Sequence, residues 1–568
     1  MWGLDIGTTN TSLGRWDDAS DRPRLIHLPE LVRRPQEAVW QEEGGQEAGR
    51  VSAPEIIPSA TQLIEVPDVW SRLTSVRPLA GRLLWGRLAH IGQQAISLSH
   101  PARPRGFVPS FKSALGKEPL RPLTQLGGRS YSARDVAWHF LRELIGEAKR
   151  QTGERIRELT VTVPVGSYES YRAEVSGVLS RLGVRRVRFV DEPVAAAIGY
   201  SLATGTRRNV LVVDFGGGTL DLALVKMDAD ALESGGCRVV SKAGRALGGN
   251  RVDGWLLEHF CRRLGYELTE PEDEDARFWQ QLMLAEARRV KEALEKSPVA
   301  SFELYPPDEL RRFEARLAGE CRELSVSRQE VIDLLAQRGL YRALEACQRE
   351  VLVAAGAEGS VDDVLLVGGS TLLPEVFAAF VRDFGRDRVR YWLPFEAVAY
   401  GATTFAAGRV HPSDFILHDY ALLTHDAKSG ESAHTVIIPR GTRFPTAMNL
   451  WERQLVPTCA LGEPERFFKL VICEIGESGD DRSFGWDDAG NLHRLGGNAD
   501  SAAQPLVVKL NAQNPALGEL APPHSPSDRR PRLRVAFGVN ADRWLCATVE
   551  DLLSKRRLMN EEPVVRLL

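Results

Sequence analysis

Three features that often define a function class are scarce in this sequence: paired cysteines, an excess of basic residues and long apolar runs. The 568 residues include seven cysteines, an odd number without a Cys-x-x-Cys pair, so we expect free thiols in a reducing compartment. Lysine and arginine total 72 against 76 aspartate and glutamate residues. That near balance argues against a nucleic-acid-binding chain, although it leaves room for a local basic patch.

Apolar residues are plentiful but dispersed. No apolar stretch reaches the ~20 residues that span a bilayer, and Met1 runs directly into a strand-like segment rather than a signal-peptide core. We therefore expect a cytoplasmic protein that does not contact a membrane. With 43% hydrophobic and 26% charged residues, the composition is that of a globular chain, and 568 residues correspond to several domains.

Two glycine-rich segments interrupt strand-like sequence in the same way. The run "LVVDFGGGTLDL" (211–222) places three glycines between apolar β-forming residues, and "MWGLDIGTTNTSLGRW" (1–16) repeats its pattern of Asp, apolar residue, Gly, small residue and Thr. Glycine weakens a strand unless the backbone must turn sharply or a ligand must approach it closely. Each segment therefore predicts a strand, a tight turn and a second strand, and together they predict a distant internal repeat.

The rest of the first 408 residues alternates between strand and helix signals. A capping box at Ser132 and Asp135 starts a helix, and strands and helices then follow one another through residue 203, which indicates an α/β sheet covered by helices. Residues 250–357 are mostly helical, with a second capping box predicted at Ser327. After Gly408 only short strands are expected, so we place a domain boundary at about residues 409–419.

The two hairpins have the chemistry of a phosphate site. Glycines allow close approach of the backbone, while consecutive N–H groups and threonine hydroxyls can donate to phosphate oxygens. Asp5 and Asp214 stand at the mouths of the hairpins, where carboxylates can hold a hydrated Mg²⁺. A third loop, residues 368–371, follows a strand and is expected to open a helix. A single glycine turn is commonly structural, but three such loops with a repeated aspartate favour a nucleotide site.

These segments resemble the seventy-kilodalton heat-shock chaperone (DnaK-type) family. "LDIGTTN" and "VVDFGGGTLDLAL" resemble its two phosphate loops, "DEPVAAAIGY" and "EAVAYGA" its connecting helices, and "LLVGGSTLLPEV" its adenosine loop. The resemblance implies an α/β fold: an actin-like ATPase fold with two lobes and duplicated ribonuclease-H-like cores, followed by an all-β sandwich. The implied domains are an ATPase domain at 1–408, a linker at 409–419 and a substrate- or partner-binding β domain at 420–568.

The resemblance also implies the roles of particular residues in binding ATP or ADP with Mg²⁺. Catalysis would depend on Lys112, Glu192, Asp214 and Thr219, with Asp5, Asp214 and Glu192 holding the metal through water. On a purely structural interpretation, Lys112 is a surface lysine and Glu192 a first-turn helix carboxylate. The implied nucleotide-binding residues are Gly7, Thr8, Thr9, Asn10, Gly216, Gly217, Gly218, Thr219, Gly248, Gly249, Lys291, Gly368, Gly369 and Ser370.

A further set resembles the family's interdomain switch. Pro164 and Arg172 have the spacing of a pair that relays nucleotide state, and the linker "DFILHD" is bracketed by Asp414 and Asp419. Arg188 and Asp191 fall where the family contacts J-proteins, although Asn is usual at the second position. A strand-ending proline, a helix-surface arginine and an ordinary interdomain strand are the structural alternatives.

The chain departs from the family pattern at the adenine end. Leu372 replaces the usual base-stacking Arg, Arg288 and Asn250 each replace a usual Glu, and Phe395 replaces an Asp. These changes call base affinity into question and leave the phosphate end intact. The sequence stops at Leu568, so we also expect no helical lid over the β domain, whose arch-loop sequences do not match the family.

The expected function is that of an ATP-dependent chaperone-like protein with slow ATP hydrolysis. Its expected partners are unfolded or extended polypeptide, or one fixed protein, together with J-protein and nucleotide-exchange co-chaperones. Two alternatives stay open. One is a nucleotide-gated scaffold with little folding activity, and the other is a metabolite kinase of the same superfamily, which would need an acceptor pocket with a catalytic carboxylate.

Overall fold

The computed structural model separates the chain into two units. It describes residues 1–33, 56–65, 87–99, 106–165, 169–204, 209–227, 236–319, 321–356, 360–416, 418–425, 432–459, 462–476, 485–486, 492–493, 506–512, 515–540 and 543–567. The first unit comprises Met1–Ser167, Tyr171–Pro412 and Ser483–Leu495, and the second comprises Tyr168–Ser170, Ser413–Arg482 and Gly496–Leu568.

The strands of the described residues, in chain order, are β1 Trp2–Ile6, β2 Asn10–Asp17, β3 Arg22–Leu25, β4 Ile57–Pro58, β5 Thr61–Leu63, β6 Ala89–Ile91, β7 Phe107–Val108, β8 Pro122–Leu126, β9 Arg129–Ser132, β10 Glu158–Val163, β11 Arg186–Asp191, β12 Asn209–Phe215, β13 Leu220–Met227, β14 Gly236–Arg245, β15 Val299–Glu303, β16 Glu323–Ser327, β17 Asp363–Val367, β18 Val389–Tyr391, β19 His411–Phe415, β20 Asp419–His425, β21 Ser432–Ile438, β22 Arg443–Phe444, β23 Trp451–Leu455, β24 Glu465–Leu470, β25 Ile472–Gly476, β26 Gly485–Trp486, β27 Leu492–His493, β28 Leu506–Lys509, β29 Ala516–His524, β30 Leu533–Val539, β31 Trp544–Asp551 and β32 Arg556–Arg566.

The helices of the described residues all lie in or at the edge of the first unit. They are α1 Gln93–Ser99, α2 Lys112–Lys117, α3 Ala133–Thr152, α4 Glu169–Arg181, α5 Glu192–Thr204, α6 Gly249–Leu264, α7 Glu274–Lys296, α8 Arg328–Gln337, α9 Leu340–Ala355, α10 Val376–Phe384 and α11 Ala397–Ala406, with 3-10 helices at Asp308–Arg316 and Gly369–Leu372. None of these helices is long and apolar enough to cross a membrane.

Two sheets of the first unit share one topology. One has the order β11-β10-β1-β2-β3 and the other contains β18-β17-β12-β13-β14. In each, an antiparallel hairpin (β1–β2 or β12–β13) is extended on one side by two parallel strands. The sheet order therefore extends the repeat seen in the two glycine-rich segments to whole sheets.

Burial explains why these strands read as apolar runs. Every residue of β12 except Asn209 is buried, and β17 is buried throughout, because both strands lie in the interior of a mixed sheet on which helices pack. Each sheet has its own apolar core: one is built around Phe140 and Val161, and the other around Phe215 and Phe260. The polar residues that interrupt these strands are consequently candidates for a site.

Two small-residue helices join the halves of the first unit. Helix α5 follows β11 and packs on β12 and β13 of the other sheet, whereas α11 packs on β1 and β2. The two helices also pack against each other, and a Cβ added at Gly401 would lie 1.6 Å from the carbonyl oxygen of Ala195. The small residues of both segments are thus required by close backbone contact.

The described part of the second unit is all-β. Its main sheets have the orders β21-β20-β25-β28 and β23-β30-β31-β32, and the strand pairs that join them are antiparallel. One buried cluster joins side chains from both sheets, including Tyr420, Ile472, Val535 and Phe537. Two antiparallel sheets that share an apolar core form a β-sandwich.

Most local predictions from the sequence are confirmed, and one is only half right. Ser132 and Asp135 form the complete capping box of α3. At α8, Ser327 accepts from the N–H of Glu330, but the Glu330 carboxylate accepts from His259 Nε2 instead of closing the box. A tertiary partner has therefore replaced the local one.

One further expectation needs correction. The loop at residues 368–371 leads into the short 3-10 helix Gly369–Leu372, and the α-helix begins only at Val376, so this loop is not a helix N-terminus. The segment 250–357 is mostly helical as expected, with the antiparallel pair β15–β16 added. The domain limits at 408 and 420 and the missing lid remain predictions.

Candidate active site

The two glycine-rich hairpins meet face to face within the first unit. Asp5 lies opposite Ser12 in the β1–β2 hairpin, as Asp214 lies opposite Asp221 in the β12–β13 hairpin. At the tips, an added Cβ at Gly217 would lie 2.2 Å from Thr9 Oγ1, and one at Gly218 would lie 2.5 Å from Thr8 Oγ1. Only glycine therefore allows the threonine hydroxyls of one hairpin to approach the backbone of the other.

A second layer of backbone supports the β12–β13 hairpin. The first N–H groups of α6 donate to it: Gly249 N to the Gly216 carbonyl at 3.0 Å and Asn250 N to the Gly217 carbonyl at 2.8 Å. Ser370 Oγ also donates to the Gly216 carbonyl at 2.7 Å. Since Gly248 packs against Gly217, with an added Cβ only 2.4 Å from its oxygen, the loops at 216–218, 248–250 and 368–370 form one continuous surface.

Two glycines have tight, specific surroundings. Gly368 has φ of +84°, and an added Cβ would lie 2.4 Å from the Phe215 carbonyl oxygen, so a left-handed backbone and close contact both require glycine there. At Gly7 an added Cβ would lie 2.2 Å from the Asn10 carbonyl oxygen across the first hairpin. Ser59 fixes that hairpin, because its hydroxyl donates to the Gly7 carbonyl at 2.7 Å.

Lys112 and Glu192 form a buried ion pair near the hairpins. Lys112 Nζ donates to Glu192 Oε1 at 2.6 Å, and both side chains are 8% exposed. Lys112 is the first residue of α2 and Glu192 the first of α5, so two helix starts bring the charges together. Burial lowers the pKa of Lys112, but Glu192, Tyr171 and Asp5 outweigh it and raise that pKa overall, so the ammonium group stays charged.

An excess of carboxylates surrounds this single ammonium group. Burial raises the pKa of Glu192 and of Asp5, and Lys112 acts in the opposite direction on both. Burial and then the charge of Glu192 raise the pKa of Asp214 well above its usual range. Burial also raises the pKa of Asp221 to about 6. The main cause of these shifts is burial, which disfavours the charged carboxylate, and repulsion between neighbouring carboxylates adds to it at Asp214 and Glu192.

The carboxylates fit a hydrated cation better than a directly ligated one. Within the described residues, no group of three or more His, Cys, Asp or Glu side chains could hold a metal ion directly. Mg²⁺ commonly keeps several waters and uses few protein carboxylates, so crowded carboxylates without a closed ligand cage suit it. Asp5, Asp214 and Glu192 are the residues that would hold those waters.

Two of the departures from the family, Arg288 and Asn250, contact each other at the expected nucleoside end. Arg288 donates from Nε to Asp253 Oδ2 at 2.8 Å and from Nη2 to Asn250 Oδ1 at 3.1 Å. Lys291 Nζ donates to the other oxygen of Asp253 at 2.5 Å. Asp253 is fully buried, and although burial opposes its charge, Lys291 and Arg288 lower its pKa. Arg288 and Lys291 therefore share one buried carboxylate.

The two apolar departures lie at the loop after β17. The Phe395 ring packs on Gly369, where an added Cβ would be 2.9 Å from Cε1, and Leu372 ends the 3-10 turn that starts at Gly369. The third loop thus has apolar side chains where the family has charged ones. It can contact a flat apolar group but cannot supply a cation from these positions.

The expected switch residues are distributed around a buried charge network. Asp191, at the end of β11, is paired with Arg172 at 3.4 Å and with Lys242 at 2.7 Å, and all three are buried. Pro164 follows β10, and the next residue, Val165, donates its N–H to Asp221 at 3.2 Å. The proline is therefore adjacent to a residue that bonds to the candidate site.

The remaining switch residues lie elsewhere. Arg188 donates from Nη2 to the Ala406 carbonyl at 2.6 Å and stacks over Phe405. Asp419 accepts from the N–H of Arg440 at 2.7 Å, in the second unit. The backbone of Asp414 pairs with that of Phe444. The side chain of Asp414 and the whole of linker residue 417 lie outside the described part of the chain.

Sequence reasoning missed three residues of this region. Asp221 could have been found, because it is a lone carboxylate in the apolar run "TLDLALV" and accepts from Thr219. Asp253 stands at a spacing that places it on one helix face with Gly249, which is a weak signal. Ser59 gives no signal in the sequence, because only the tertiary fold brings it to Gly7.

Comparison with known proteins agrees with this geometry. The family model described as Hsp70 protein matches residues 115–459, so the chain belongs to the Hsp70 family. That membership and the described sheets confirm the expected fold class, an actin-like ATPase fold followed by a β-sandwich.

Relatives with assigned names are similar over much of the chain. A chaperone protein HscA homolog of Shewanella piezotolerans is 26% identical over 454 residues, which are 78% of this chain and 64% of that protein. A ribosome-associated molecular chaperone of Saccharomyces cerevisiae is 29% identical over 345 residues, 58% of this chain and 53% of that protein. The match thus spans less than two thirds of the length of either relative.

Proposed function

We propose that this chain is an ATP-dependent chaperone-like protein in which residues 1–408 bind Mg-ATP and hydrolyse it slowly. Residues 420–568 bind extended polypeptide or a fixed protein partner, and the linker 409–419 couples the two. The observation that carries the proposal is the buried Lys112–Glu192 pair among carboxylates, beside two facing hairpins whose glycines and threonines suit phosphate. Membership of the Hsp70 family supports it.

The residues of the site have different roles in transferring the phosphoryl group to water. Backbone N–H groups of the hairpins and the hydroxyls of Thr8, Thr9 and Thr219 bind phosphate oxygens. Asp5, Asp214 and Glu192 would hold a hydrated Mg²⁺, which would supply positive charge to the phosphates. Lys112 stays cationic and positions water against the γ-phosphate, while Glu192 orients that water. Positioning and charge stabilisation supply most of what such a reaction needs.

Nucleotide state reaches the second domain through the switch residues. Asp221 contacts both Thr219 and Val165, so a change at the phosphate loop acts on Pro164. ATP and ADP shift the balance between conformations only by their difference in affinity for each. Arg172, Arg188, Asp414 and Asp419 complete this pathway in the proposal, and J-protein and nucleotide-exchange co-chaperones act on it in the cytoplasm.

Single-turnover ATP hydrolysis tests the proposal. We expect slow hydrolysis in the wild type, and a loss of at least about 100-fold in Lys112→Ala with ATP affinity within about threefold, as expected for removing a group that stabilises the transition state. Thr219→Ala should weaken both binding and hydrolysis. Lys149→Ala, which removes an exposed lysine in the last turn of α3, is the matched control and should behave as wild type.

The outcomes separate the alternatives. Tight ATP binding without hydrolysis in the wild type would contradict the ATPase and support a nucleotide-gated scaffold. Hydrolysis with no effect of Lys112→Ala would contradict the assigned site. Binding of an unfolded hydrophobic peptide that ATP weakens would support the chaperone cycle, whereas peptide binding that ignores ATP would contradict coupling between the domains.

A further inference from the structure

Tyr171 is a buried side chain for which the described part of the chain supplies no polar partner. It lies in the first turn of α4, is 4% exposed and packs in the apolar core of the first sheet. Its hydroxyl oxygen is buried and has no hydrogen-bond partner among the described residues. Other buried tyrosines differ: Tyr266 accepts from Trp279 Nε1 at 2.8 Å, and Tyr420 donates to Glu474 at 2.9 Å.

A buried hydroxyl without a partner destabilises the folded protein, because folding removes its hydrogen bonds to water and no other hydrogen bond replaces them. Phenylalanine would fill the same volume without that cost. A tyrosine at such a position therefore indicates a hydrogen bond to a group other than the described residues, such as a water molecule. The surroundings of the hydroxyl show what that could be.

Tyr171 lies close to the candidate active site, because the adjacent Arg172 pairs with Asp191, the residue before Glu192. The charges of Lys112, Glu192 and Asp5 also act on its hydroxyl. Burial raises the pKa of Tyr171 to about 12, so the group is a neutral hydroxyl that can both donate and accept a hydrogen bond. A neutral group of this kind beside a buried ion pair is suited to hold a water molecule that the two charges also contact.

We propose that the Tyr171 hydroxyl belongs to the hydrolytic site, where it hydrogen-bonds to the attacking water beside Lys112 and Glu192. This inference depends on the proposed ATPase function. Two charged groups hold a water by strong but poorly directed forces, and a third, rigidly packed group fixes its orientation toward phosphorus. Tyr171 is held on a helix within a packed core, so it supplies that rigidity.

The test compares Tyr171→Phe with Tyr266→Phe, which makes the same chemical change at a buried hydroxyl that has a partner. Three quantities are measured on the full chain: thermal stability without nucleotide, ATP affinity, and the single-turnover hydrolysis rate. We expect Tyr171→Phe to be at least as stable as wild type, to bind ATP within about twofold, and to hydrolyse it about 10-fold more slowly, the effect of one well-placed hydrogen bond. Tyr266→Phe should lose stability and keep the hydrolysis rate.

Each other outcome has one meaning. If the wild type hydrolyses ATP and Tyr171→Phe does so equally fast, the inference is overturned while the proposed function stands. If Tyr171→Phe is destabilised as much as Tyr266→Phe, the hydroxyl has a partner in the folded chain and the inference fails. If the wild type binds ATP without hydrolysing it, the proposed function fails, and the role of Tyr171 fails with it.

Discussion

Replacing Gly401 by alanine should force apart the two helices that join the halves of the first unit. An added Cβ would lie 1.6 Å from the Ala195 carbonyl oxygen, and heavy-atom contacts of Cβ below 3.0 Å are essentially never observed. To reach 3.0 Å, the backbones of α5 and α11 would have to separate by about 1.4 Å. The obstructing atom belongs to the backbone, so no side-chain rotation can relieve the contact.

The expected loss is large because the interior is already close-packed. Inserting one carbon into a packed core costs roughly 1–3 kcal/mol, and an obstruction by backbone belongs at the upper end, about 3 kcal/mol. Gly177→Ala is the matched control, since Gly177 lies inside α4 with no atom within 4 Å of an added Cβ. There, alanine should stabilise the helix by up to about 1 kcal/mol.

Urea denaturation of the two variants beside the wild type gives the answer. The Gly401→Ala midpoint should fall clearly and the Gly177→Ala midpoint should hold or rise, so the same substitution moves stability in opposite directions. The reasoning would be refuted if Gly401→Ala were as stable as wild type. It would also be refuted if both variants lost stability equally, since loss would then follow from glycine replacement in general and not from the helix crossing.

Three further predictions concern charge and contact. Asp253→Asn leaves two cations around a neutral buried amide, so we expect the free energy of unfolding, measured by urea denaturation, to fall by about 3 kcal/mol. ATP binding, measured by calorimetry, should also weaken. Asp253→Glu, which keeps the charge, should lose less stability. Burial, aided by Arg142, lowers the pKa of His139 to about 4. His139 therefore binds a proton more tightly in the unfolded chain than in the folded one. The free energy of unfolding should fall as the pH drops from about 6.5 toward 4, by no more than about 3 kcal/mol. His139→Gln should flatten this part of the plot of melting temperature against pH. Gly217→Ala should abolish ATP binding, because the methyl group displaces Thr9, and unchanged affinity by calorimetry would contradict the facing arrangement of the hairpins.

The phosphate end of the site could be predicted from sequence because its information is local. Asp5 and Asp214 each stand two residues before a glycine and shortly before a threonine, so the same local pattern occurs twice. A turn that needs glycine and a strand that needs apolar residues are both properties of a few neighbouring positions. The structure adds that the tips of the two hairpins touch, which no spacing within either one could show.

The remaining site residues depend on contacts between distant segments. Ser59 reaches Gly7 across 52 positions of sequence, and Lys112 reaches Glu192 across 80. Glu330 shows the same effect at a helix end, where His259, a tertiary neighbour, takes the carboxylate that the local capping pattern would have used. Local patterns identify candidates for such interactions, and only the packed chain decides which partner each side chain takes.

The departures from the family are concentrated at one end of the site, and they fit one another. Arg288 in place of a carboxylate would place an unpaired cation beside Lys291, but the buried carboxylate of Asp253 pairs with both cations, one through each oxygen. Asn250, itself a replacement, accepts a hydrogen bond from Arg288. Loss of a function removes groups without supplying new partners for those that stay. A pair of replacements that bond to each other, next to intact phosphate loops, is the pattern of a site whose nucleoside end has changed its preference. We therefore expect base and ribose recognition to differ from that of other family members before phosphate binding does, and a comparison of ATP with GTP affinity by calorimetry would measure it.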